Sequence, residues 1–264
     1  MLRKLKSVGI AIVFMLVMSA CNSESSGSLT SASDVLIKSL ELMEGLNSYS
    51  MKMESNQTLT INDDETVEMF LTLNADMTLA PLAFYQKMMM ETDMEMMSTI
   101  ETEMYFVDNQ IYMYEPMTNE WMQLPPELIG EIGALSELQI SPEQQLNVLT
   151  SFIDEIDMTE SGNEYVLKLT GEGTEFLEIA KLFGGVGTED FEEMLELFSH
   201  LELNNIDYEI FIDKETLYQT RLNMIMEMEM VVDGERVHTV QTMSATIYGY
   251  NEVDEIVLPE EVIK

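Results

Sequence analysis

An α+β domain, with antiparallel strand meanders on either side of a helical centre, is the fold class the sequence predicts. Three observations predict it. Apolar residues recur at every second position over most of residues 49–106 and again over 206–247. That is the period of strands buried on one side. Between these stretches, from Ser141 to Phe198, the apolar spacing lengthens to helical intervals. Finally, short polar turns such as "NDDE", "VDNQ", "DKET" and "VDGER" separate successive alternating runs, as consecutive antiparallel strands require.

The chain opens on a leader. Arg3, Lys4 and Lys6 precede an apolar run, Val8 to Met18, interrupted only by Gly9. The run has the length of a signal-peptide core and is short for a bilayer span. It ends in "VMSAC", and Cys21 is the only cysteine of the chain, so no internal disulfide exists. Small residues before a cysteine at this place resemble a bacterial lipobox, with Met18 where Leu is usual. The resemblance implies acylation of Cys21, by chains such as palmitate, and lipid anchoring on the extracytoplasmic side of the cell membrane. Two or three chains anchor stably where one does not, since each buried methylene adds about 0.8 kcal/mol. "NSESSGSLTSAS" then reads as a flexible polar tether. The expected organisation is a signal peptide over 1–20, a tether over 21–32 and one domain over 33–264.

Ser33 to Gly45 reads as a helix. Ser31 or Ser33 caps it, Leu36, Leu40 and Met43 share a face, and Gly45 ends it. Strands follow. Tyr49, Met51, Met53, Leu59 and Ile61 line one side of the first, and Val67, Met69, Leu71, Leu73 and Ala75 one side of the second. Leu82, Phe84, Met88, Met90, Met94 and Met96 do so in the third, and Ile100, Met104 and Phe106 in the fourth. "IYMYEP" is a fifth. The centre begins with Ser141, Pro142 and Gln144, a cap, an N1 proline and a capping-box partner, followed by Leu146, Leu149, Phe152, Ile153 and Ile156 at helical spacing. Asn163–Gly171 is a strand, and two short helices are expected around Phe176–Phe183 and Phe191–Phe198. Strands return over Ile206–Ile212, Leu222–Met230 and Met243–Ile247, with Asp-Gly between the last two, the preferred chemistry of a tight hairpin.

"NMIMEMEMVV" puts Met224, Met226, Met228 and Met230 on one side of a strand, with Glu227 and Glu229 on the other. Thioethers select Cu(I), and His238 lies nearby in sequence. A copper site wants several soft or imidazole donors at one point, however, and the chain has only His200 and His238. No metal or other cofactor is expected; apolar lining is the reading, because Met is an adaptable gap-filler. Such a lining either holds a greasy ligand, which unbranched side chains repack around, or fills a core against the helices.

Charge narrows the partners. Twelve basic residues, three of them in the leader, stand against 49 acidic ones. Nucleic acid is excluded, because its affinity comes from basic groups that displace phosphate counterions. Docking on anionic headgroups through a basic patch is equally disfavoured. No enzyme is expected. "GGVG" lacks the G-K-[ST] of a phosphate loop, Ser199 and His200 are helical neighbours that do not face each other, and no G-x-S-x-G or H-E-x-x-H occurs. Trp121 reads as a plug at the end of a sheet, with a ligand platform as the alternative.

Two segments carry a family likeness. "MYFVDNQIYMYEPMTNEWMQL" (Met104–Leu124) and "YEIFIDKETLYQTRLNMIMEMEM" (Tyr208–Met230), set in the order lipobox, tether, helix, meander, helices, meander, resemble LolA/LolB-like lipoproteins, above all uncharacterised Gram-positive ones of this length. The resemblance implies an open antiparallel β half-barrel with helices over its concave face. It further implies a hydrophobic or lipidic ligand and no catalytic residue. Met69, Leu71, Met88, Met90, Met104, Phe106, Met224, Met226, Met228 and Met230 are the expected lining.

Overall fold

A computed structural model of the protein describes residues 29–62, 64–93, 99–125, 141–173, 202–232 and 234–262. The leader, Cys21, most of the tether, Met94 and Met96, the two helices expected within 174–200, and His200 lie outside the described residues.

Helix α1 spans Ala32–Met43 and is capped by Ser31, whose side chain accepts from the Asp34 amide at 3.1 Å. Strands β1 (Ser48–Ile61), β2 (Glu65–Leu79), β3 (Leu82–Thr92), β4 (Thr99–Val107), β5 (Gln110–Glu115) and β6 (Glu120–Gln123) follow as a meander. Helix α2, Pro142–Leu149, starts at Ser141, which accepts from the Gln144 amide at 3.3 Å. β7 (Asp157–Ser161), β8 (Glu164–Gly171), β9 (Glu202–Asp213), β10 (Gln219–Val232) and β11 (Glu235–Tyr248) complete the described elements.

The two meanders do not form separate sheets. β1 pairs with β11 over twelve residue pairs, Ser50 with Tyr248 through Ile61 with Val237. Among the described residues one open, all-antiparallel sheet of eleven strands results, in the order β6-β5-β4-β3-β2-β1-β11-β10-β9-β8-β7. Because cross-strand partners share a face, the register carries one apolar face across the whole sheet. Tyr49, Met51, Phe84, Phe106, Ile210, Leu222 and Met224 lie on it, buried in one cluster with Val35, Leu36 and Met43 of α1 and Leu146 and Leu149 of α2. The opposite face carries most of the charge.

Besides the short edge strand β6, which no alternation announces, three elements differ from the sequence expectation. The second helix stops at Leu149 and tightens into a 3-10 turn over Thr150–Phe152, although the apolar spacing runs on to Ile156. There Thr150 donates its hydroxyl to the Asn147 carbonyl at 2.6 Å, a side-chain bond that competes with continuing the helix. Ile153 and Ile156 still pack on the core, from irregular backbone. Second, "DMTES" forms β7, an edge strand. It lacks the apolar alternation because an edge needs pairing on one side only and tolerates polar residues well. Third, β9 starts at Glu202, four residues before the alternation becomes legible at Ile206.

Candidate functional site

The site is assembled by register. Met90, Leu71, Ser55, Met243, Met224, Tyr208 and Leu169 are successive cross-strand partners, a single row over seven strands. A parallel row runs Met104, Gln86, Ala75, Met51 and Ile247. Another runs Met69, Gln57, Gln241, Met226 and Ile206. Met88 pairs with Leu73, Phe106 with Phe84, Met228 with Thr239 and Met230 with Val237. All ten residues expected as lining therefore stand on the same face.

Their surroundings are not uniform. Met224 and Met226 are 1% and 0% exposed, and Met228 and Phe106 are also buried. Met69, Leu71, Met88, Met90, Met104 and Met230 are half-buried. At the other end of the strands Tyr49, Met77, Phe84 and Phe106 close the core, with Phe84 and Phe106 stacked at 5.4 Å. Apolar surface is thus left partly open over the outer reach of β2, β3 and β4. Tyr208, wholly buried in the middle of the face, has its phenol pushed far up by burial and stays neutral. Gln219 Nε2 donates to Gln145 Oε1 at 2.9 Å, tying β10 to α2.

His238 is not part of this face. It pairs with Glu229 and Thr60, and its Nε2 lies 2.9 Å from Glu227 Oε1. The imidazole and the four thioethers of β10 are on opposite sides of the sheet, so sequence proximity brings no donor set together. Among the described residues no group of three or more His, Cys, Asp or Glu is arranged to hold a metal ion.

The opposite face carries something that pattern-reading did not select. Tyr248, Ser50, Asp76, Tyr85 and Tyr105 are successive partners on five neighbouring strands. Tyr85 and Tyr105 rings lie 4.7 Å apart, and Trp121 touches Tyr105 and Tyr114 at 5.6 and 5.5 Å. Trp121, on edge strand β6, thus belongs to an outer aromatic group and not to the methionine face. Gly249 (φ +62°) and Asn251 (φ +61°) turn the chain after β11. The tail is then pinned by the Asn251 and Val253 amides on Ser48, at 2.8 and 3.1 Å. Between this tail and the tyrosine row lies a cavity of about 560 Å³. The signal was present in sequence only as tyrosines on polar strand faces; nothing local reveals that the tail returns over them.

A family model described as a family of unknown function, DUF6612, matches residues 31–264. The chain belongs to this family. No curated protein matches. Among solved structures, a DUF1329 family protein from Desulfovibrio piger aligns at 10% identity over 84% of this chain and 92% of that one, TM-score 0.26. A LolA superfamily protein from Nitrosomonas europaea aligns at 9% identity over 89% and 98%, TM-score 0.23. A β-barrel-like DUF1849 protein from Brucella abortus aligns at 8% identity over 77% and 99%, TM-score 0.25. Scores this low set no residue of this chain against one of theirs. Among the described residues no helix is long and apolar enough to cross a membrane.

Proposed function

We propose that this chain is a non-enzymatic, extracytoplasmic protein, anchored in the cell membrane through acylated Cys21, that holds a hydrophobic or lipidic ligand against its methionine face. In this reading the sheet curves as a LolA-like half-barrel and the helices cover its concave side. The observation that carries the proposal is the half-buried surface of Met69, Leu71, Met88, Met90 and Met104 on adjacent strands, continuous with a closed core. Flexible thioethers there adapt to an acyl chain without a fixed shape. Lipid extraction and native mass spectrometry of the full-length protein test it, together with uptake of a fluorescent fatty acid. Co-purified lipid and saturable uptake are expected; repeated recovery without lipid and without uptake would overturn it. Loss of Cys21→Ser protein from the membrane fraction tests the anchor.

The complete burial of Met224 and Met226 favours a second reading, an interaction protein of the envelope whose sheet is a filled core. Uptake unaffected by polar substitution at Leu71 and Met90 would favour it.

A further inference from the structure

We propose that the groove on the face opposite the methionines binds a linear organic polyamine, an alkyl chain carrying spaced ammonium groups. The site is independent of the apolar one and lies on the other side of the same sheet. Its floor is the row Tyr248, Ser50, Asp76, Tyr85 and Tyr105; its other wall is the tail at residues 252–257.

Three features select the ligand. The first is length: five strands make four steps of about 4.8 Å, so the row is roughly 19 Å long and suits an extended molecule. The second is the aromatic ends of the floor. Tyr248 stands at one end and the Tyr85–Tyr105 pair at the other, and phenol faces attract ammonium and line alkyl segments. The Tyr85 ring is held in place, since its hydroxyl donates to Glu103 at 2.8 Å. The third is sign. Asp76, fixed by the Ser50 hydroxyl at 2.5 Å, stands midway along the floor, and Glu252, Asp254 and Glu255 come from the tail. Among the described residues no basic one lines the cavity. Two lysines stand on the next row of this face, outside the lining, Lys52 paired with Glu54 and Lys87 with Glu101 and Glu103. An anion would be repelled, and a compact inorganic ion would leave the aromatic ends unused.

The test is calorimetric titration of full-length protein with spermidine at about 0.15 M salt, where diffuse surface attraction is largely screened. A saturable site is expected. Asp76→Asn and, separately, Tyr85→Leu should each weaken it about tenfold, while Tyr85→Phe, which keeps the ring, restores binding to within about threefold. Circular dichroism and thermal unfolding report whether each variant is folded, and Asp76→Asn keeps the test alive should Tyr85→Leu unfold. Three results would overturn the proposal: no saturable binding; binding unchanged in both weakening variants; or equal displacement by calcium, which would mean nonspecific counterion attraction. Binding of choline but not spermidine would overturn the linear ligand. None of these outcomes bears on the methionine face.

Discussion

The strands β8 to β11 and the outer reach of β2 to β4 are built from the same alternation, yet they end up in different environments. In the first region Leu167, Leu169, Ile206, Tyr208, Ile210, Leu222, Met224 and Met226 are all buried. In the second Met69, Leu71, Met88, Met90 and Met104 remain half-buried on the same face. A dyad pattern tells which way a side chain points. It does not tell what covers it. The difference makes one region a stability element and leaves the other less covered.

The sharpest way to break the comparison is truncation of one methionine on each side. Met226→Ala should cost about 2–5 kcal/mol, because a fully enclosed side chain leaves a cavity. Met90→Ala should cost about 1 kcal/mol or less, since its site is already partly open. Denaturant unfolding measures both, and equal losses would erase the distinction.

Polar groups sharpen it further. Gln145→Leu removes the partner of the buried Gln219 amide and should destabilise by about 1–3 kcal/mol. Gln86→Leu, whose amide among the described residues reaches the Met104 sulfur at 3.6 Å, should shift stability by no more than about 0.5 kcal/mol.

Ligand uptake separates the regions in the other direction. Leu71→Asp should weaken fluorescent fatty-acid binding about tenfold or more while the fold persists, because it places a charge beside the acyl chain. Met224→Leu, a swap of similar volume in the closed region, should leave uptake within about twofold.

The smallest effect concerns the β9–β10 turn. Asp213 accepts from the Glu215 and Thr216 amides at 3.0 and 2.8 Å and from Asn163 at 2.9 Å. The hydrogen bonds from Thr216 lead in lowering its pKa. A depressed folded value means the contribution is complete above the unfolded value near 3.8 and disappears as pH falls through the folded one. At this exposed site screening limits it to about 1 kcal/mol. Asp213→Asn should thus lower the melting temperature slightly at pH 7 and leave it unchanged near pH 2, as thermal scans across pH would record.

Much of this was legible in advance because it depends on neighbours in the chain. The caps at Ser31 and Ser141, the facing of Tyr49, Met51 and Met53, and the inward set of β10 all follow from local stereochemistry and period. The edge strand β7 was not legible, since its pairing comes from β8 and its own residues are polar. Nor was the separation of His238 from the methionines expected from closeness in sequence; alternation along β10 and β11 puts them on opposite sides.

By itself the sequence determined the strands that alternate, their apolar side, the starts of α1 and α2 and a surface hostile to anions, because each is a property of a few consecutive residues or of composition. Only the tertiary structure decided three things. β1 and β11 join the meanders into one sheet, part of the methionine face lies less covered than the rest, and the tail closes a groove over Asp76 and the tyrosines. These depend on contacts between segments as many as 205 residues apart, whose free energy of association no local pattern records.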